Sequence, residues 1–159
     1  MPRRYRIFAV AVALTLVADQ LTKSWARSAL LLGRRVPFLG AFWDWELSYN
    51  PGSAFGLFNT VDAAKIFLTI VGLAACVAIV FIVRKASNDR GFNAAAYGLV
   101  FGGALGNVID RLAFGKVTDF VLWHVGEHRW PQFNVADAAL VVGVVILFLD
   151  IGKKKPAAK

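Results

Sequence analysis

Asp119 lies just before, and Asp137 just inside, the last of four long apolar stretches, with carboxamides and glycines around them that a plain membrane anchor would not need. Hydrocarbon does not tolerate spare carboxylates without a reason, so an ionisable residue at that depth marks a functional site. A carboxyl pair supplies general acid and general base together. The types and positions therefore point to an acid/base enzyme embedded in a membrane.

The elements that must position the pair follow from composition. Of 159 residues, 58% are hydrophobic and 18% charged, with mean hydropathy +0.59, which is too apolar for a soluble domain of this size. Four stretches, at about 7–32, 64–83, 92–109 and 133–151, reach the roughly 20 residues that a bilayer core requires. The expected fold class is an all-α membrane protein, a single integral-membrane domain over 1–159 with four transmembrane helices. Residues 1–18 have the basic start and apolar run of a signal peptide, but no small-residue cleavage site follows and apolar character resumes beyond Asp19, so we read a retained first span.

The formal charge of +8 raises the possibility of nucleic acid. Its distribution argues otherwise. Arg3, Arg4 and Arg6, then Arg84, Lys85 and Arg90, then Lys153, Lys154, Lys155 and Lys159 crowd three short segments that an even number of spans puts on one side. By the positive-inside rule that side is cytoplasmic, with both termini there. Trp25, Trp43, Trp45, Trp123 and Trp130 all fall near the other side. Within residues 42–50, Trp43, Trp45, Leu47 and Tyr49 alternate with Asp44, Glu46, Ser48 and Asn50, the period of a half-buried strand. Turn chemistry at Asn50-Pro51-Gly52-Ser53 then leads to an apolar run at 54–58, which predicts a small β-hairpin lying on the outer face of the membrane.

If the first helix enters at Arg6, Asp19 is 13 residues deeper, roughly 20 Å; Asp137 is 16 residues, roughly 24 Å, from Lys153. Both acids then sit in the outer third of the bilayer. Each polar feature also has a plain structural reading. Asp19 and Lys23, spaced i,i+4 with the acid first, form a self-neutralising helical pair. Gly98, Gly102 and Gly106 read first as close helix packing, the alternative being a smooth floor for a substrate helix. Asp110 faces an unfavourable helix dipole that adjacent Arg111 would offset. Asn134-x-x-Asp137 has the spacing of a capping box, and Asp119 alone would be an ordinary loop acid. Cys76, the single cysteine, is packing.

His124-Val125-Gly126-Glu127-His128 matches an inverted zinc-protease pattern. Zinc would need both histidines on one helical face and a third ligand, whereas Gly126 breaks the helix and no acid follows before Asp137. No metal and no other cofactor is expected. A proton-coupled transporter is the main rival from another class, but it would place acids across the full depth, and the inner half has only Asp150 at its boundary.

The sequence resembles the bacterial lipoprotein signal peptidases, also called type II signal peptidases. The resemblance rests on Asp19-Gln20-x-Thr22-Lys23, Asn50-x-Gly52-x-Ala54-Phe55-Gly56, Gly102-Gly103-Ala104-x-Gly106-Asn107-x-Ile109-Asp110-Arg111, Val117-x-Asp119-Phe120 and Phe133-Asn134-x-Ala136-Asp137. It implies an aspartic endopeptidase of the bacterial inner membrane, acting near its outer, periplasmic face. In that family the signal peptide of a diacylglyceryl-modified prolipoprotein is removed just before the lipidated cysteine. It further implies that Asp119 and Asp137 are the catalytic pair, that Asn50, Gly52, Asn107, Asp110, Arg111 and Asn134 support the site, and that Asp19 and Lys23 form the first-helix motif. Two close carboxylates share a proton, so one can activate water while the other polarises the scissile carbonyl. The carboxamides of Asn50, Asn107 and Asn134 suit holding a substrate backbone in a dry site. The glycine-rich third span would give the substrate's signal helix room to approach, and Trp43, Trp45 and Phe55 would clamp the acyl-bearing end. The expected partners are membrane-embedded prolipoprotein and membrane lipid, with no nucleic acid, the protein itself being a monomer.

Overall fold

A computed structural model describes residues 1–52, 61–85 and 91–151. The expected apolar run at 54–58, Ser53, Phe55 and the basic residues Arg90, Lys153, Lys154, Lys155 and Lys159 lie outside the described residues. Helices occupy all four apolar stretches: α1 (Arg3–Ala29), α2 (Val61–Lys85), α3 (Gly91–Phe114) and α4 (Val135–Ile151). Two of them, α1 with mean hydropathy 1.4 and α2 with 3.0, are long and apolar enough to cross a membrane.

The third helix is the hub, packed against α1, α4 and α2. Its glycines make that possible. A Cβ on Gly98 would lie 2.5 Å from the Ala11 Cβ, one on Gly102 2.7 Å from the Thr15 Cβ, and one on Gly106 2.5 Å from Asp19 Oδ2. The face made by Gly98, Gly102 and Gly106 is thus filled by α1, which settles it as packing and removes it as a floor for a substrate helix. Facing it, α1 buries Thr15, Asp19, Lys23 and Ala26, spaced four, four and three apart on one side of the helix. Much of the rest of α1 and α2 exposes large apolar side chains, among them Leu14, Leu21, Ile66, Ile70 and Phe81. The first helix is thus polar on its buried side and apolar outside, whereas α2 buries Ala64, Cys76, Ile79 and Val83 and is apolar on both; outward apolar surfaces of this kind suit a lipid solvent.

The expected strand at residues 42–50 is β2 (Trp43–Asn50), but it belongs to a four-stranded antiparallel sheet rather than a single hairpin. It lies between β1 (Arg35–Leu39) and β3 (Val117–Val125), and β4 (His128–Arg129) closes the far edge. A register shift between Trp45 and Ser48 breaks the strict alternation, so that Asp44 and Leu47 are the buried residues of β2. Ala26, Leu47, Phe120 and Val121 form the core beneath the sheet, and the rings of Trp25, Trp45 and Phe120 meet edge-on or tilted at 5.3–6.1 Å around it.

Candidate active site

Asp119 is not a loop acid. It sits within β3, opposite Ser48 of β2, and is 3% exposed. Asp137 lies in the first turn of α4, half-buried, and its local geometry is the capping box that the spacing predicts: Asn134 Oδ1 accepts from the Asp137 N–H at 3.0 Å, and Asp137 Oδ2 accepts from the Asn134 N–H at 3.1 Å.

Two carboxamides join the carboxylates. Asn134 Nδ2 donates to Asp119 Oδ1 at 2.7 Å and to Asn107 Oδ1 at 3.2 Å, while Asn107 Nδ2 donates to Asp137 Oδ1 at 2.8 Å. Lys23 Nζ completes the orientation of Asn107 by donating to its Oδ1 at 2.9 Å. Because a lysine has only donors, this bond fixes which end of the amide faces Asp137. Burial, followed by the charge of Asp137, pushes the Asp119 carboxyl up to about 7; hydrogen bonds from Asn134 and Asn50 and the charge of Lys23 act the other way.

Behind this lies a second, fully buried polar layer. Lys23 Nζ is 2.9 Å from Asp19 Oδ2 and 3.7 Å from Asp110 Oδ2, with all three side chains at zero exposure. Asp19 also accepts from the Ala136 N–H at 3.0 Å and from Gln20 Nε2 at 2.9 Å. The pair expected within α1 therefore ties α1 to α3 and to the start of α4. Asp110 is attracted by the charge of its neighbour Arg111, as expected, but its close contacts lie elsewhere. Its partners are Lys23, Arg27 at 3.6 Å and the Thr118 N–H at 2.8 Å, and Arg111 Nη1 instead donates to the Asn107 carbonyl at 3.4 Å. Adjacent residues on a helix point about 100° apart, which is why sequence neighbours are poor candidates for an ion pair.

Arg27 and Thr118 were absent from the sequence-derived set, yet Arg27 Nη1 donates to Thr118 Oγ1 at 2.9 Å while pairing with Asp110. The signal was present: Arg27 follows Lys23 by four residues and so shares its face. Asn50 and Gly52 stand where β2 ends. Gly52, with φ of +90°, donates its N–H to Asn50 Oδ1 at 2.8 Å, a conformation that L side chains resist. Trp43 lies over the aromatic layer, its ring 5.0 Å from that of Trp45 and 5.3 Å from that of Phe38. A cavity of about 280 Å³ is lined by Thr22, Trp43, Trp45, Phe120, Trp123 and Asn134 among others; neither carboxylate lines it, and Asn134, the donor to Asp119, is its link to the pair. His124 and Val125 end β3, Gly126 and Glu127 make the turn and His128 begins β4, so the segment is a strand hairpin rather than a helix, and His124 Nε2 faces Asp44 Oδ2 at 3.0 Å. Cys76 is buried, as packing requires.

This fold and its buried polar interior define a membrane enzyme. A bacterial membrane enzyme solved by the in meso method at 1.9 Å superposes with a TM-score of 0.85 at 27% identity, covering 93% of this chain and 94% of that one. The lipoprotein signal peptidase of Xanthomonas campestris pv. campestris (strain 8004) is 36% identical over 156 residues, 96% of this chain and 93% of the relative. That of Geobacter metallireducens is 38% identical over 151 residues, 95% and 93% of the two chains. The model of the signal peptidase II family matches residues 11–153. The chain belongs to the signal peptidase II family, and is a membrane protease of lipoprotein processing that removes signal peptides from prolipoproteins.

Proposed function

We propose that the protein is an aspartic endopeptidase that cuts diacylglyceryl-modified prolipoproteins just before the lipidated cysteine, with Asp119 and Asp137 as the catalytic pair. The observation that carries this reading is the bridge of carboxamides between the two carboxylates, which aligns them without neutralising either. Asp137, bonded to the N–H of Asn134 and sitting where the helix dipole favours an anion, takes the ionised role; Asp119, raised to about 7, holds the shared proton. A water between them loses its proton to Asp137 as its oxygen joins the scissile carbonyl carbon, and Asp119 protonates the carbonyl oxygen. Collapse of the tetrahedral species returns that proton to Asp119, and Asp137 delivers its own to the departing amine of the cysteine. Asn50, Gly52, Asn107, Asn134, Asp110 and Arg111 hold the shell, Asp19 and Lys23 anchor it, and the cavity under Trp43 and Trp45 receives apolar parts of the substrate.

All four helices cross the bacterial inner membrane in this reading, with both termini cytoplasmic and the sheet at the outer face. Its support is the one-sided basic residues, the aromatic sheet at the opposite end, and the exposed Val141, Val145 and Phe148 of α4. The substrate is membrane-embedded, and the enzyme acts as a monomer without a cofactor.

The test is incubation of the purified protein with a diacylglyceryl-modified prolipoprotein, with and without EDTA, the cut located by mass spectrometry. Asp119→Asn and Asp137→Asn should each insert normally and abolish cleavage, and the double variant should be no worse, because losses within a catalytic unit do not add. Substantial cleavage by either single variant at matched expression, or activity lost to EDTA and restored by zinc, would overturn the reading.

A further inference from the structure

At the opposite end of α1 from the carboxylates, an open groove of about 510 Å³ runs between α1 and α3. Arg3 and Arg6 stand at its mouth, Ile7, Val10 and Leu14 continue along it, and Ala95 of α3 forms part of the facing wall. The positions 3, 6, 7, 10 and 14 fall on one helical face, so the sequence writes a strip that is cationic for one turn and apolar for the next two. From Arg3 to Leu14 the helix rises about 16 Å, close to half of a bilayer core of about 30 Å. The strip therefore has the depth of one leaflet.

The two arginines are also available. Arg4 is turned to Tyr5, donating to its hydroxyl at 3.2 Å with its guanidinium 4.8 Å from the ring centre. Arg3 and Arg6 are exposed, and neither makes a side-chain hydrogen bond or ion pair among the described residues. Beyond Arg6 the walls offer no polar group, so a wholly polar anion would be held only at the mouth, whereas a molecule with an acidic head and a hydrocarbon tail matches the full length.

We infer that the groove between α1 and α3 is a binding site for one anionic phospholipid, its phosphate at Arg3 and Arg6 and an acyl chain along Ile7, Val10 and Leu14. A zwitterionic lipid carries a compensating cation next to its phosphate and is the weaker ligand. By seating on both helices at once, the lipid clasps the contact that buries Gly98 against Ala11.

Native mass spectrometry of the full-length protein, released from micelles containing equal amounts of dioleoylphosphatidylglycerol and dioleoylphosphatidylcholine, reads the occupancy directly. One phosphatidylglycerol should be retained in preference to phosphatidylcholine. The double variant Arg3→Gln with Arg6→Gln should weaken that retention roughly 30-fold, from about 1 kcal/mol for each cation, whereas Arg3→Lys with Arg6→Lys should keep most of it. Val10→Trp, at an exposed position, fills the groove with both arginines intact and should displace the lipid equally; Ala95→Trp repeats that arm from the α3 side. Equal retention of the two lipids would overturn the site, and so would loss in the charge variant without loss in either groove-filling variant, which signifies an ionic contact at the surface only.

Discussion

Replacing Lys23 with methionine keeps the unbranched stem of the side chain, ends it one atom short at the position of Nζ, and removes its charge. In the folded protein, Lys23 Nζ lies 2.9 Å from Asp19 Oδ2 and 3.7 Å from Asp110 Oδ2, and none of the three side chains reaches solvent. The variant leaves two buried carboxylates. An exposed ion pair would be worth at most about 1 kcal/mol, but removing one member of a buried pair costs about 3–5 kcal/mol because the remaining charge has no water to turn to. The other partners limit the loss without cancelling it: Asp19 keeps the Ala136 N–H and Gln20, and Asp110 keeps Arg27 and the Thr118 N–H. With about 2–4 °C per kcal/mol for a chain of this length, the melting temperature should fall by roughly 6–20 °C. Intrinsic tryptophan fluorescence during a thermal ramp in detergent reports it, since Trp25 sits within the same helix. Adding Asp19→Asn to Lys23→Met discharges one orphaned acid and should recover part of the loss, a coupling of about 0.5–3 kcal/mol. A Lys23→Met protein that melts within about 2 °C of wild type would show that the buried layer does not hold the helices together.

The raised Asp119 carboxyl gives a pH signature: the folded protein binds that proton more tightly than the unfolded chain, so its stabilising contribution is full below about 3.8 and is lost as pH rises through about 7. Melting temperature measured from pH 4 to 8 should therefore decline more in wild type than in Asp119→Asn, and turnover should fall on the alkaline side with an apparent pKa near 7; identical slopes would contradict the assignment. Gly103→Ala directs a methyl group into the Ala136 carbonyl oxygen and to 2.9 Å from the Leu140 Cγ, so it should destabilise by about 1–3 kcal/mol in chemical denaturation, and a neutral result would mean that α3 and α4 are not in such close contact. A reporter fused after Lys159 should be active only in the cytoplasm and one inserted near Gly126 only outside; the reverse pattern would put the carboxylates on the wrong side of the membrane.

Features with a local period were legible in the sequence. The i,i+4 step from Asp19 to Lys23, the Asn134-x-x-Asp137 cap, the glycine register of α3 and the alternation of residues 42–50 each correspond to an observed contact or element. The third strand escaped because Val117 to Leu122 are buried throughout, so no apolar-polar alternation marks them as a strand and Asp119 reads as a loop residue. The first strand contains Pro37, which argues against a strand unless it lies at an edge, as this one does. Asp110 was matched with Arg111 for want of any periodic signature linking residue 110 to residues 23 and 27. Contacts between distant helices depend on how the helices are packed, and only the five short motifs, taken together, hinted at that packing.

The bond from the Ala136 N–H to Asp19 spans 117 residues, and it sets an order in time. During synthesis α1 leaves the ribosome first, with Asp19 and Lys23 offered only partners from their own helix, each other and Gln20. Asn107 and Asp110 arrive much later, and Asn134 to Asp137 last of all. The carboxamide bridge cannot close until the start of α4 has been made, so under the proposed mechanism a growing or truncated chain lacks the complete carboxyl pair needed for cleavage. The ion pair inside α1 is the part that comes early, and it lets the first helix wait in lipid for the helices that will use it.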